Sequence, residues 1–428
     1  MALLPPSVAF LAAALALSGA GALTGLVFVE LKAAPGDLVL QASPPPLTAV
    51  EEPLPAAAVS CPDLTVVDPP WMLAGPPPPP SQPPPEAPLS LERRISFWTQ
   101  VWGDRGDNQH LLVDQRRPWV VFAEVDCRDL SGNGAAAAKD ECGARLTQAR
   151  RKVQADLKKT WWQPAKMKRY DGDKKLALSA MNNLIGIQGR RDALARAKDR
   201  AAPHLGHAEG LFALEDVPRV YARAAIVESL WRPEALSRSG AAGAYQFMPK
   251  TGRQFLAVTE GIVDERLDPL RASWAAARYM SQMAKSLTAW PLVLTAYNTG
   301  PARLRRVMKA RGSADLGKLA DAGNLGEFGF DGQNYYAQIA AIGRLTKDEV
   351  FEPYPITGRA FRLDSALSFL ELASCVETTP AALALANPAL HAAVLEGKAL
   401  VPEGYVARVP ATLVQTASLE PRADVAQR

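Results

Sequence analysis

The sequence predicts a mainly α-helical chain with a small α+β module close to its C terminus, and three observations carry that expectation. Apolar residues recur at three- and four-residue spacing in long stretches, such as ECGARLTQARRKVQADLKKTWW (141–162) and again from Gly206 to about Arg344. Alternating strand pattern is nearly absent from the second of these, and its punctuation is short and built of Gly and Pro. After Pro353 the texture changes: residues 361–410 read as two short amphipathic helices between strand-like ends.

Taken in order, residues 1–32 are dominated by an apolar run from Leu3 to Val29 that holds no charge and ends at Glu30 and Lys32, the mark of a signal peptide or a membrane anchor. A retained single-pass anchor is the expectation, because the run lacks a basic leader and exceeds the usual signal length. Residues 33–90 are Pro-rich and culminate in GPPPPPSQPPP (75–85), so a linker that spaces the rest from the membrane is expected. Residues 91–200 carry helical pattern with charged faces and read as bracing helices. Residues 201–350 read as a compact all-helical domain, 360–410 as the small module, and 411–428 as a polar tail.

Composition excludes some functions. The 48 Lys+Arg against 44 Asp+Glu give a mild basic excess, far from the concentrated patch of a nucleic-acid binder. Four cysteines (61, 127, 142, 375) and four scattered His offer no metal-ligand spacing, so no metal site is expected. An oxidising compartment permits a bridge, and Cys127 and Cys142 lie close enough to close a short loop. Cys61 as a lipid attachment site is the weaker reading, since Ala58-Val59-Ser60 precedes it without the usual Leu and far beyond the apolar run.

The chemistry centres on VPRVYARAAIVESLWRP (217–233), which is apolar on nearly every face and has Pro218 suited to a first helical turn. Glu228 falls in the last turn of this expected helix, on the stripe of Tyr221, Ala224 and Ala225. Apolar surroundings and the negative end of a helix dipole both raise a carboxyl pKa above its ordinary value. A carboxylic acid kept protonated near neutral pH can give its proton to a glycosidic oxygen and then serve as a base. The bland alternative is a structural ion pair with Arg223 or Arg232.

Three further segments surround it. In SRSGAAGAYQFMPKTGRQF (237–255), Gly240 and Gly243 permit close backbone approach, and Tyr245 and Gln246 lead into Phe247-Met248-Pro249. Gln246 offers amide groups to a sugar substituent, or else satisfies its own turn. Asp268 and Pro269 start a helix with the core stripe Ser273, Ala277, Met280, Ala284 and Leu287, so Asp264, Glu265 and Asp268 read as caps and ion-pair partners. WPLVLTAYNTGPARLRRV (290–307) ends one helix at Thr299-Gly300 and restarts another at Pro301, leaving Tyr297 and Asn298 at a helix end facing a cleft.

In order and spacing, VESLWRP, SGAAGAYQFMP, DERLDP and AYNTG resemble the family 1 lytic transglycosylases, whose SLT domain has a goose-lysozyme-like fold, and among them the membrane-bound D-type subgroup. GIQGRRDALARA and LFALEDVPRVYARAAIVES extend the resemblance from about Ile185 to about Arg344. It implies a lysozyme-like catalytic domain in which Glu228 is the catalytic acid/base and Ser229 its supporting neighbour. It also implies that Gln246, Tyr297 and Asn298 line the substrate cleft, with Tyr245 beside them where Met or Trp is usual. Tyr335, in DGQNYYAQI, matches the Tyr of the family's Glu-Thr-x-x-Tyr segment, although Asp331-Gly332 replace the Glu-Thr. The module at 360–410 resembles a divergent LysM unit through ANPAL (386–390).

What the resemblance implies for function is cleavage of peptidoglycan glycan strands between MurNAc and GlcNAc, on the periplasmic side of a bacterial envelope and anchored to the inner membrane, with no cofactor. One acid suffices because the MurNAc 6-hydroxyl, not water, closes a 1,6-anhydro ring. A hydrolytic muramidase would instead need a second carboxylate, with Asp264 or Asp331 as suppliers. A non-catalytic wall-binding scaffold is the alternative from another class.

Overall fold

The computed structural model describes residues 38–40, 61, 64–73, 88–130, 135–321, 325–351 and 358–411. The apolar N-terminal run, the polyproline stretch and the tail beyond Ala411 lie outside the described residues. Two short strands come first, and later parts of the chain capture both: β1 (Leu38–Leu40) pairs antiparallel with Ala235–Ser237, and β2 (Leu64–Val67) with Arg359–Leu363.

Helix α1 (Glu92–Gly103) buries Ile95, Phe97, Trp98, Val101 and Trp102 and leads into a hairpin of β3 (Gln109–Asp114) and β4 (Arg117–Asp126). The long α2 (Ala135–Thr160), two short helices α3 (Pro164–Lys168) and α4 (Lys174–Ser179), and β5 (Leu184–Gln188) complete this part. The strands form an antiparallel sheet in the order β4-β3-β5, with Leu112 opposite both Ala123 and Gly186. The all-helical bracing region expected over 91–200 is therefore corrected: its centre is a sheet. The reason is burial, since the last four residues of β3 are all buried. A strand covered on both faces shows an apolar run, with none of the period-two alternation that would have announced it.

The expected boundary between 200 and 201 also moves. It falls inside α5 (Arg191–Leu214), and a single core runs from Leu91 through Ile187 and Phe212 to Ile342. After a 3-10 turn at Arg219–Arg223 come α6 (Ala224–Ser229), β6 (Ala235–Ser237), α7 (Pro249–Gly252) and the small hairpin of β7 (Val258–Thr259) and β8 (Val263–Asp264). The single helix expected over 217–233 is thus a 3-10 turn followed by a short α-helix. Helix α8 (Pro269–Ala284) starts as the sequence predicts, with the Asp268 carboxylate accepting from the backbone N–H groups of Leu270 (2.9 Å) and Arg271 (3.3 Å). Four helices close this part: α9 (Trp290–Thr299), α10 (Pro301–Arg311), α11 (Leu316–Asp321) and α12 (Leu325–Leu345).

The C-terminal module has the order β9 (Arg359–Leu363), α13 (Phe369–Cys375), α14 (Pro380–Ala386), α15 (Ala392–Leu395) and β10 (Val406–Val409) around its own apolar core. Its sheet runs β10-β9-β2, so one strand comes from the segment expected to be linker, and a Cys61–Cys375 disulfide ties that segment to α13. The linker expectation for 33–90 is corrected over residues 64–73. Trp71 is buried beneath the Arg271 guanidinium (4.3 Å to the ring centroid), which also lies 4.9 Å from the Tyr405 ring, and the Trp71 carbonyl meets His207 Nε2 at 2.9 Å. Arg271 pairs as well with Glu265 and Asp268, and donates to the Val406 carbonyl. The strap of residues 64–73, the helical domain and the module therefore meet at one cation. The module also touches β8 directly, where the Asp264 N–H donates to the Ala389 carbonyl at 2.8 Å. Among the described residues no single helix is long and apolar enough to cross a membrane.

Candidate active site

Helix α6 ends abruptly at Ser229, one residue after Glu228. Leu230 and Trp231 both take left-handed backbone conformations (φ 56° and 54°), which cost a non-glycine residue roughly 1–2 kcal/mol each. Two features hold the chain there. The Arg200 guanidinium of α5 donates twice to the Leu230 carbonyl, at 2.9 and 2.7 Å. The Ser229 hydroxyl donates to the Ala244 carbonyl (2.8 Å) and accepts from the Arg232 N–H (2.9 Å), joining the helix end to the glycine-rich loop. These bonds fix Ser229 between the helix end and the loop.

The loop is pressed against its neighbours. At Gly243 (φ 80°) a Cβ would stand 1.7 Å from the Arg266 carbonyl oxygen, so only glycine fits. Gln246, also left-handed (φ 49°), donates its side-chain amide to the carbonyls of Gly243 (2.9 Å) and Ala235 (3.3 Å). Its donor end therefore holds the loop together, which is the local-turn role of the two that the sequence left open, and its amide oxygen is not used in these bonds.

Glu228 is 3% exposed, and its Oε1 accepts a hydrogen bond from the Tyr335 hydroxyl at 2.8 Å. Tyr335 lies on α12, more than a hundred residues away in sequence, and its ring stacks on Tyr297 (centroids 6.4 Å apart, planes at 14°). The Tyr297 hydroxyl donates to the Tyr245 carbonyl at 2.8 Å. Burial, and then the Glu228 carboxylate, push both the Tyr335 and Tyr297 hydroxyls well above the ordinary tyrosine range, so each stays protonated and acts as a donor. The fold thus brings Glu228, Ser229, Tyr297 and Tyr335 to one place. Asn298 is half-buried at the end of α9, as expected of a helix terminus.

Tyr245 is a correction. Expected to face substrate, it is fully buried, with its ring against Phe212 and Trp231 and its hydroxyl donating to the Ala222 carbonyl at 3.1 Å. A tyrosine that reaches a carbonyl of the 3-10 turn preceding α6 supports the site from the core side. The Arg223 guanidinium, one of the two ion-pair partners weighed for Glu228, goes to Glu209 and to the Thr346 hydroxyl (2.7 Å). Burial pushes the Glu209 carboxyl up, and Arg223 beside it pulls it back. Sequence reasoning missed this Arg223–Glu209–Thr346 cluster and Arg200. The left-handed pair after Glu228 could not have flagged them, since Leu and Trp carry no turn signature.

Of the two acids weighed as a second carboxylate, Asp331 is half-buried on α12 and Asp264 has structural employment. Asp264 is 7% exposed, grips Arg266 with both oxygens (2.9 and 2.7 Å) and caps the 3-10 turn at Glu265–Leu267. Glu265 and Asp268 go to Arg271. Among the described residues one His/Cys group is tight enough for a metal, His110 with Cys127 and Cys142, but a Cys127–Cys142 disulfide removes its thiolates. Cavities of about 390 and 270 Å³ lie between α1 and the β3–β4 hairpin around Arg93 and Trp119 and include none of the expected site residues.

A buried carboxyl held by a tyrosine, in a helical domain with a strained turn behind it, is an arrangement suited to acid/base chemistry. Comparison with known proteins narrows this: residues 214–319 match the family model "Transglycosylase SLT domain". Over 119 residues the chain is 32% identical to the membrane-bound lytic murein transglycosylase D of Escherichia coli strain K12 and, equally, to that of strain O6:H1. That alignment takes in 27% of this chain and 26% of the relative, so about a quarter of each curated relative is spanned. Among solved structures, the 70 kDa soluble lytic transglycosylase of Escherichia coli is similar at 19% identity and a TM-score of 0.28, covering 48% of this chain and 37% of that one. An inactive variant of lytic transglycosylase Slt from Pseudomonas aeruginosa is similar at 18% identity and a TM-score of 0.26, covering 53% and 36%. Both scores are too low to argue from.

Proposed function

We propose that this protein is a peptidoglycan lytic transglycosylase that cleaves the β-1,4 bond between MurNAc and GlcNAc, with Glu228 as acid and then base. The observation that carries this reading is Glu228 itself: a buried carboxyl aligned by Tyr335, inside the segment that matches the transglycosylase domain. Burial among aromatic rings is the setting in which a carboxyl keeps a proton for donation. Glu228 gives that proton to the oxygen leaving with GlcNAc, and the C1–O bond breaks. The substrate's N-acetyl group steadies the oxocarbenium-like centre. Glu228 then takes the proton of the MurNAc 6-hydroxyl as its oxygen bonds to C1, which closes the 1,6-anhydro ring and returns the carboxyl to its starting state. A second carboxylate is not required, and the commitment of Asp264 to Arg266 agrees with that.

Gln246, Tyr297 and Asn298 border the sugar path in this reading, with Ser229 and Tyr335 fixing the acid. The C-terminal module is a LysM-like glycan-binding unit, which its β-α-α-α-β order and the buried Asn387 support. The Asn387 side chain ties α14 to the Arg408 carbonyl (2.7 Å) and N–H (2.9 Å). Two disulfides suit the oxidising periplasm, and the relatives' printed name suits a membrane-attached envelope enzyme.

Digestion of purified sacculi with product mass spectrometry tests the proposal. Wild type is expected to release muropeptides with anhydro ends, and Glu228→Gln to lose activity by roughly 100- to 10,000-fold. Reducing ends would identify a hydrolase, and undiminished digestion by Glu228→Gln would remove the acid from the mechanism.

A further inference from the structure

Helix α12 carries Tyr335, and the way it is anchored points outside the transglycosylase segment. Gly329 (φ 68°, ψ 164°) breaks the helix, so its regular part begins at Phe330, little more than one turn before Tyr335. Between the break and the tyrosine lies Asn334, which is fully buried. Its amide donates back to the Phe330 carbonyl at 2.7 Å. Its Oδ1 accepts from two side chains of α1, Arg94 Nη1 at 2.9 Å and Trp98 Nε1 at 3.0 Å. Both lone pairs of that oxygen are thereby used. Arg94 is itself 2% exposed and fixed on every side: it pairs with Asp321 at 2.9 Å, reaches the Arg116 carbonyl at 3.4 Å and lies over the Trp119 ring at 5.0 Å. Trp98 packs its ring toward Phe330 (6.2 Å).

Adjacent residues on a helix project about 100° apart, so Asn334 can face α1 while Tyr335 faces Glu228. We infer that Arg94 and Trp98 are positioning residues for the Glu228 site: by holding Asn334 they set the rotation of α12 and with it the place of the Tyr335 hydroxyl. The leverage is large. A tyrosine oxygen sits about 9 Å from its helix axis, so a rotation of about 10° carries it about 1.5 Å. A hydrogen bond of 2.8 Å does not survive that displacement. The N-terminal sheet-and-helix unit is on this account part of the catalytic apparatus, although it lies outside residues 214–319.

The inference rests on the reading of Glu228 as the acid, so its test pairs an activity readout with one that needs no activity. In full-length protein with ¹³Cζ-labelled tyrosine, the Tyr335 resonance is assigned by its loss in Tyr335→Phe, and its dependence on the Glu228 bond by its shift in Glu228→Gln. Asn334→Ala and Arg94→Met are expected to move that resonance in the same direction as Glu228→Gln. On sacculi they are expected to lower kcat about tenfold with KM unchanged, and to add nothing in a Tyr335→Phe background. An unmoved Tyr335 resonance, or an equal further loss in the Tyr335→Phe background, would overturn the proposal. Should either variant fail to fold, Trp98→Phe, which keeps an aromatic ring and removes the Nε1–H donor, decides it by the same resonance. Inactive wild type with a shifted Tyr335 signal would sink the transglycosylase reading and leave the clamp standing.

Discussion

Replacing Cys61 and Cys375 with serine cuts a tie between the segment that precedes α1 and the C-terminal module. The sequence separation is 314 residues. In the chain-entropy treatment, a loop of that length loses about 5.7 kcal/mol of unfolded-state entropy at 25 °C, against about 3 kcal/mol for a loop of the Cys127–Cys142 size. That shorter loop, at a separation of 15, braces α2 against the end of β4. The four residue pairs between β2 and β9, the burial of Trp71 and the Arg271 contacts remain in the variant, so the strap is weakened and not erased. Calorimetry of the oxidised protein is expected to show the Cys61→Ser/Cys375→Ser pair lowering the melting temperature more than Cys127→Ser/Cys142→Ser does. A separate, lower transition for the module is expected to appear, with early proteolysis near Val66, which is exposed. If the two double variants melted alike in a single transition, the long loop would not be contributing to stability and the strap would be a packing feature alone.

Two shorter predictions follow from single sites. Gly243→Ala is expected to destabilise by 3 kcal/mol or more, on the order of the penalty for a clash and a left-handed Cβ combined. Its Cβ would meet the Arg266 carbonyl at 1.7 Å, and thermal melting together with soluble yield reads the loss; a shift under a few degrees would mean the loop can open. The second concerns acid. Burial lowers the His207 pKa from its ordinary 6.5, the hydrogen bond to the Trp71 carbonyl partly opposing, and His204 beside it shifts the same way. Folding therefore favours neutral rings. Their contribution is whole above about pH 6.5 and is lost as pH falls through the lower folded values. Melting temperature should drop from pH 7.5 to 5 and drop less in His207→Gln; an identical drop in both would place the acid sensitivity elsewhere.

The sequence disclosed parts of this protein through local rules and concealed the parts that depend on distant contacts. Asp268-Pro269 and Thr299-Gly300-Pro301 announced helix ends because caps act within one turn, and the structure has α8, α9 and α10 at those positions. Glu228 stood out as a carboxyl in an apolar stretch. By contrast, β3 escaped because both its faces are covered, and Tyr245 was taken for a cleft residue because a motif position does not say which side of the loop a ring will choose. Gly240 and Gly243 advertised a close approach, but the partner that makes glycine obligatory, the Arg266 carbonyl, is set by the fold alone.

Arg94 illustrates why such residues stay hidden. On α1 it sits in ERRISFWTQVWG, where an arginine beside an apolar stripe reads as a solvated neighbour, and only the approach of α12 converts it into the buried donor that meets Asn334. Burying a guanidinium is costly unless every face is satisfied. Here Asp321, Asn334, the Arg116 carbonyl and the Trp119 ring satisfy it, drawing on three separate parts of the chain: α11, α12 and the β3–β4 hairpin. Removing the side chain of Asp321, Asn334 or Trp119 leaves the same charge stranded. Variants at Asp321 and Trp119 should therefore disturb the Tyr335 hydroxyl as Arg94 variants do, although both residues hold the Arg94 guanidinium and not Asn334 itself. That shared response is what separates a clamp, which transmits position, from four independent contributions to stability.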